Sequence, residues 1–78
     1  MEDRITVNVG AASVVARPNV IMPEHLTLFV ETADGKRIDR GFIASPSDGL
    51  NVLEAAKAEL FSAPHEAQDW LSRAAHAL

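Results

Sequence analysis

The spacing of the hydrophobic residues changes once along this chain, near Ser45. Before that point apolar residues alternate with polar ones, as Ile5, Val7 and Val9 do, which is typical of a half-buried strand. After it, apolar residues recur every three or four positions, which is typical of amphipathic helices. Strands followed by helices predict an α+β fold, in which an antiparallel sheet of three or four strands carries two C-terminal helices on one face.

Two stretches of the strand region leave alternatives open. Gly10 interrupts the first strand, and residues 13–17 form either a second strand after a turn or the same strand continued past a bulge. Val20-Ile21-Met22 lies between Pro18 and Pro23, which break a strand. We interpret this apolar stretch as a loop or an edge, apolar enough to be tucked against the core.

A hairpin is predicted around Ala33-Asp34-Gly35. A three-residue loop with Gly35 in the left-handed conformation keeps most apolar residues on one face, which a two-residue turn does not. Two mismatches remain, Arg40 beside Leu28 on the inner face and Phe29 on the outer face, and a bulge at Gly41 would re-aim one or the other. The preferred register sets these residues opposite each other: Val30 and Ile38, Leu26 and Phe42, and Glu31 and Arg37.

The clearest helix start in the chain is Ser45-Pro46-Ser47-Asp48. Ser45 is suited to the N-cap position, Pro46 to the first turn, and Asp48 to the third helical position. Ser62 and Pro64 predict a second start. The expected buried stripes are Leu50, Leu53, Ala56 and Leu60 in the first helix, and Ala67, Trp70, Leu71, Ala74 and Leu78 in the second.

The predicted core draws on both halves of the chain. Its members are Ile5, Val7, Leu28, Val30, Ile38, Phe42, Leu53, Leu60, Trp70 and Leu71. A chain of 78 residues supports one such core, so residues 1–78 are expected to form a single domain. The sequence has no cysteine, so no disulfide can stabilise this core, and such a composition suits a reducing cytoplasm. The acidic start at residues 1–4 does not look like a signal peptide, and no apolar run is long enough to span a membrane.

Most of the formal net charge of −4 lies in the C-terminal half, which contains five acidic residues and only two basic ones, Lys57 and Arg73. Binding to a phosphate backbone depends on basic residues, so this balance argues against a nucleic-acid partner. The basic residues of the hairpin, Lys36, Arg37 and Arg40, are interleaved with acids and do not change that conclusion. The charge favours a protein partner with a basic surface.

The sequence contains little that could carry catalysis. It has no cysteine or tyrosine, no serine within a nucleophile elbow, and no glycine-rich phosphate loop, so we expect neither an enzyme nor a bound cofactor. His65, Asp69 and His76 share one stripe of the second helix. However, 11 residues of helix separate the two histidines by about 16 Å, too far for one metal ion. A solvated face is the preferred interpretation, and no metal site is predicted.

We therefore expect the chain to act by binding another macromolecule. In the predicted register Phe29 stands on the open face of the sheet beside Glu31, where an exposed aromatic would anchor a partner or a second copy of the chain. The acids of the two helices form the other candidate surface. The predicted partner-binding residues are Phe29, Glu31, Glu54, Glu59, Glu66 and Asp69.

The layout of the chain resembles small phage-encoded anti-CRISPR proteins that inhibit type I surveillance complexes. The shared features are a short, acidic, cysteine-free chain, a strand meander with the hairpin Asp34-Gly35-Lys36, and a Ser45-capped helix followed by a second helix. The resemblance implies an inhibitor that docks on a basic surface of a nucleic-acid-handling complex. No contact motif can be matched residue by residue. The alternative is a small structural protein that self-associates through its open sheet face.

Overall fold

The computed structural model describes residues 4–78, and the first three residues of the acidic N-terminal segment lie outside it. Within these described residues, four strands precede two helices. They are β1 (Ile5–Asn8), β2 (Ala12–Pro18), β3 (Leu26–Thr32), β4 (Phe42–Ala44), α1 (Pro46–Ala56) and α2 (Pro64–His76). The strands form one antiparallel sheet in the order β1-β2-β3-β4, which confirms the predicted α+β fold.

Residues 13–17 belong to a strand of their own. β2 runs antiparallel to β1 with Val7 opposite Val14, and the turn between them is closed by a hydrogen bond of 3.0 Å from the Val9 N–H to the Ala12 carbonyl. The turn is also joined to the connection between the helices, because the Phe61 N–H donates to the Val9 carbonyl at 2.9 Å. Of the two alternatives, the turn is therefore the one observed.

The β3–β4 hairpin has two registers. Next to the loop, Glu31 pairs with Arg37 and the Ile38 N–H donates to the Val30 carbonyl at 3.1 Å, as predicted. Beyond residues 39–41 the pairing has shifted by two residues, so that Phe42 lies opposite Leu28 instead of Leu26. The predicted Leu26–Phe42 pair is wrong because residues 39–41 do not pair with β3, and the strand β4 begins only after them.

Helix α1 begins as predicted but buries a different stripe. The Asp48 N–H donates to Ser45 Oγ at 3.3 Å, and Pro46 occupies the first turn. The helix ends at Ala56, so Leu60 lies beyond it and is 84% exposed, while Leu50 is 50% exposed. Both were predicted to be buried. The residues that α1 does bury are Gly49, Val52, Leu53 and Ala56.

Helix α2 is capped by Ala63 rather than by Ser62. Glu66 explains the difference, since its Oε1 accepts hydrogen bonds from the Ser62 and Ala63 N–H groups at 2.8 and 3.2 Å. This carboxylate therefore accepts the backbone N–H groups just before the helix, and no serine hydroxyl is needed as a cap. Ala67 and Leu71 are buried, and Trp70 and Ala74 pack partly buried against them. Leu78, predicted to continue the stripe, is 56% exposed after the helix has ended.

Both helices pack on the same face of the sheet, which we call the inner face. The core joins alternate residues of the strands, such as Val14 and Val30, to Leu53 and Leu71 of the helices. Most of the predicted core is confirmed as buried or partly buried. Leu60 and Ile5 are the exceptions, and Ile5 is 46% exposed because it begins the edge strand β1.

Candidate interaction surface

The outer face of the sheet, opposite the helices, has a buried centre. Val15 and Phe29 lie opposite each other on adjacent strands, and both are almost completely buried although neither described helix covers this side. The guanidinium carbons of Arg17 and Arg37 lie 5.6 and 4.3 Å from the centroid of the Phe29 ring. Long arginine side chains can cover apolar surface in this way, and the aromatic ring attracts their charge.

Phe29 is therefore not the exposed anchor that the sequence predicts. It does point to the outer face, but the side chain is only 2% exposed. The position of Arg37 explains the difference. Its Nε donates to the Asp39 carbonyl at 2.8 Å and its Nη2 to the Arg40 carbonyl, so the residues that interrupt the ladder hold the guanidinium over the ring.

A groove lies beside this covered centre, and we call it the outer groove. It has a volume of about 470 Å³ and crosses the ends of β2, β3 and β4. Its cationic residues come from the end of β2 and from the segment between β3 and β4, and its exposed apolar residues come from the loop after β2 and from β4. The residues that characterise it are Arg17, Val20, Ile21, Arg37, Arg40 and Ile43.

One wall of the outer groove is a turn that Asn19 organises, which we call the Asn19 turn (residues 19–25). Asn19 Oδ1 accepts hydrogen bonds from the N–H groups of Ile21 and Met22 at 2.9 and 2.8 Å. Asn19 Nδ2 donates to Thr27 Oγ1 at 2.9 Å, and the Asn19 N–H donates to the His25 carbonyl at 2.9 Å. An asparagine that bonds the backbone ahead of it in this way fixes the conformation of a loop.

The Asn19 turn holds two aliphatic side chains out in solvent. Val20 is 87% exposed and Ile21 is 88% exposed, so the expectation that this stretch is tucked against the core is wrong. The hydrogen bonds of Asn19 fix the backbone of the turn with these two side chains exposed, which the apolar triplet alone does not reveal. The available signal is Asn19 itself, which follows a proline and is a residue type favoured at the start of a turn.

The acids predicted to bind a partner do not form one surface. Glu31 Oε1 lies 2.7 Å from Arg4 Nη2 in an ion pair, and the Glu31 side chain is only 15% exposed. Glu54 pairs with Lys57 at 3.0 Å on α1, and Glu59 is half-buried in the connection that follows. Glu66 is bonded to the backbone that enters α2. These carboxylates therefore have partners or cover within the chain itself.

Glu66 and Asp69 are the two predicted acids that the structure brings together. They border a second groove of about 400 Å³ with the exposed Leu60, and Arg73 lies at the same site. His65 and His76 are exposed on the same helix as Asp69. Within residues 4–78, no group of three or more histidine, aspartate or glutamate side chains is arranged to hold a metal ion.

The hairpin loop contains the one carboxylate of the described residues whose pKa clearly shifts. A hydrogen bond from the Thr32 hydroxyl lowers the pKa of Asp34 below its usual value. Bonds from the backbone N–H groups of Asp34 and Lys36, and the nearby charge of Lys36, act in the same direction. Asp34 is fully exposed, so this network belongs to the turn and not to a binding cleft.

Comparison of the chain with protein-family models, with curated proteins and with solved structures gives no match. Neither of the two described helices is both long and apolar enough to cross a membrane.

Proposed function

We propose that this chain is a non-enzymatic protein-interaction module whose binding surface is the outer groove together with the Asn19 turn. The observation that carries the proposal is the exposure of Val20 and Ile21 on a turn whose backbone is fixed by hydrogen bonds. Ile43, 48% exposed, continues this apolar surface onto β4. The cysteine-free sequence suits a module of the reducing cytoplasm.

The energetics of these side chains support the proposal. Burying one exposed valine or isoleucine side chain contributes roughly 1.5 to 3 kcal/mol, so Val20 and Ile21 together offer a useful fraction of a binding energy. A flexible loop would lose part of this gain when it becomes ordered on binding. The Asn19 turn is already ordered by its own hydrogen bonds, so a partner meets a surface that needs little rearrangement.

The acidic surface of the helices is a second way for such a module to bind. It fits a partner with a basic surface, as the resemblance to anti-CRISPR inhibitors implies, and the groove that joins Asp69 to the exposed Leu60 favours it. Two contacts count against it, since Lys57 offsets the charge of Glu54, which is still 74% exposed, and Glu66 is bonded to the backbone that enters α2. We therefore rank it below the outer groove.

Self-association through the outer face is the alternative function, and it uses the same apolar residues. Two copies that bury Val20, Ile21 and Ile43 against each other would remove the exposed patch from water. Such a dimer is isologous, so a substitution at Ile21 would act on both sides of the interface at once.

The proposal is tested by comparing Ile21→Asp with Leu60→Asp. Both residues are exposed aliphatics, at 88% and 84%, but only Ile21 lies at the outer groove. Tagged proteins are used to capture partners from source-cell lysate, and sedimentation velocity measures self-association. We expect Ile21→Asp to lose the partner or the dimer while Leu60→Asp retains it.

The opposite pattern decides against the outer groove. Retention by Ile21→Asp with loss by Leu60→Asp would place the interaction on the acidic groove of α2. Retention by both variants would mean that neither apolar site carries the interaction. Thermal unfolding of each variant establishes that both remain folded, which their exposure predicts.

A further inference from the structure

We propose that the outer groove binds an acidic peptide segment of the partner, whose carboxylates meet the groove arginines while an aliphatic residue packs against Ile21 and Ile43. This inference rests on the proposed function and specifies the chemistry of the partner. Its basis is the charge of the groove, which is opposite to the charge of the chain.

The groove is cationic although the protein as a whole is acidic. The chain has a formal net charge of −4, yet the described residues that line the groove include Arg17, Arg37 and Arg40 and no carboxylate. Arginine presents a planar set of donors that matches a carboxylate in two-point contacts. Three such groups around one concavity therefore favour an anionic occupant.

The arginines are held in place to different degrees. Arg37 is oriented by its bonds to the carbonyls of Asp39 and Arg40 and by its position over Phe29. Arg17 also lies over the Phe29 ring, at 5.6 Å. Arg40 is exposed, and within residues 4–78 it makes no ion pair through its side chain. Arg40 is thus the charge that a ligand can engage and that substitution can reverse without disturbing the sheet.

The apolar residues of the groove distinguish a peptide from a nucleic acid. Proteins that bind single strands use exposed aromatic side chains on which bases stack. Phe29, the aromatic residue at the centre of this face, is covered, and Phe42, the aromatic residue that lines the groove, is partly buried against the core. The strongly exposed apolar side chains of the groove are those of Val20, Ile21 and Ile43. Aliphatic surface between arginines suits a peptide that alternates carboxylates with an apolar side chain.

The shape of the groove argues for a peptide over a membrane. Val20 and Ile21 beside arginines would also suit a surface of anionic lipid. However, Val20 and Ile21 line the same open concavity as Thr27 and Ile43, and its volume of about 470 Å³ is typical of a ligand-binding groove. A planar bilayer surface cannot enter such a concavity, whereas a peptide side chain can.

The test uses a dye-labelled peptide in which leucine alternates with pairs of glutamates, and fluorescence anisotropy measures its affinity. A glutamine version of the peptide isolates the charge. The protein variants are Arg40→Glu, in the groove, and Arg73→Glu, an exposed arginine of α2 that makes the same change in net charge outside it. We expect Arg40→Glu to weaken binding by about tenfold or more, and Arg73→Glu by no more than about twofold. The affinity for the glutamate peptide is also expected to fall as salt is added.

Several outcomes would overturn the inference. Equal binding of the glutamate and glutamine peptides would show that charge does not select the ligand, and equal losses in both variants would show that only net charge matters. Preference for single-stranded DNA or for vesicles containing phosphatidylserine, lost in Arg40→Glu, would assign the groove to another class of ligand. Thermal unfolding of Arg40→Glu verifies that a loss of binding is not a loss of fold.

Failure of this inference is distinguishable from failure of the proposed function. If the acidic peptide does not bind but Ile21→Asp still abolishes partner capture, the outer groove remains the interaction surface and its partner is not acidic. If Ile21→Asp retains the partner while the peptide binds at Arg40, the groove has an anionic ligand but the module does not work through its apolar residues.

Discussion

The guanidinium carbon of Arg37 lies 4.3 Å from the centroid of the Phe29 ring, over the centre of the outer face. This contact closes a sheet face that the strand pattern leaves open, and it leaves Phe29 only 2% exposed. We expect Arg37→Ala to lower the free energy of unfolding by about 1 to 2 kcal/mol, since it removes the cation from the ring and exposes apolar surface. Urea unfolding measures the change. Arg40→Ala is the matched control, and an equal effect in both would contradict a role for the contact with Phe29.

Asp39 replaces a backbone acceptor where the ladder is interrupted. Its Oδ1 accepts the Val30 N–H at 3.0 Å, beside the residues that shift the β3–β4 register. Asp39→Ala leaves that N–H without its acceptor and should lower the free energy of unfolding by about 1 to 3 kcal/mol. Asp39→Asn retains a side-chain oxygen and should cost less. Amide hydrogen exchange at Val30 reports the bond directly, and unchanged protection in Asp39→Ala would refute its importance.

Gly41 and Gly35 both have a positive φ, but only Gly41 is enclosed. A Cβ on Gly41, at φ +71°, would lie 2.1 Å from the Leu28 carbonyl oxygen, whereas a Cβ on Gly35, at φ +85°, meets nothing within 4 Å. Gly35→Ala should therefore lower the free energy of unfolding by only about 1 to 2 kcal/mol, because an alanine is strained in the left-handed conformation. Gly41→Ala should cost clearly more because the backbone of β3 must move. Melting temperatures compare the two, and equal values would argue against the close approach at Gly41.

Leu53 and Leu60 test the boundary of the core. Leu53 is 3% exposed and Leu60 is 84% exposed. We expect Leu53→Ala to cost roughly 2 to 5 kcal/mol, enough to unfold much of a domain of this size, because it leaves a cavity. Leu60→Ala should remain within about 0.5 kcal/mol of the parent. Circular dichroism during chemical unfolding measures both, and a large loss in Leu60→Ala would place that residue back in the core.

Asp34 should make the hairpin loop sensitive to acid. The bond from the Thr32 hydroxyl lowers the pKa of Asp34, so the folded state favours the charged carboxylate. The resulting stabilisation is present above the ordinary aspartate pKa and is lost as the pH falls through the lowered pKa. Titration of the side-chain carboxyl by NMR measures this pKa. Thr32→Val should raise it towards the usual value, and an unchanged midpoint would show that the hydroxyl is not the cause.

The order and type of the elements are contained in local sequence patterns. Alternation predicts the strands, Ser45 and Pro46 predict the start of α1, and the loop around Gly35 predicts the pair Glu31 and Arg37. Each of these signals involves residues close in sequence, and each depends on backbone preferences that act before the chain becomes compact. The strand order does not follow from these patterns, because Gly10 leaves open whether residues 13–17 form a strand of their own. In the structure every connection joins neighbouring antiparallel strands.

The proposed binding surface depends on tertiary structure. Alternation places Phe29 on the outer face, but its burial depends on Arg17 and Arg37, which reach it from other positions in the chain. The composition of residues 20–22 suggests burial, yet the bonds of Asn19 hold Val20 and Ile21 in solvent. Local patterns report which side of an element a residue occupies. Whether that side is covered depends on groups that only the folded chain brings together.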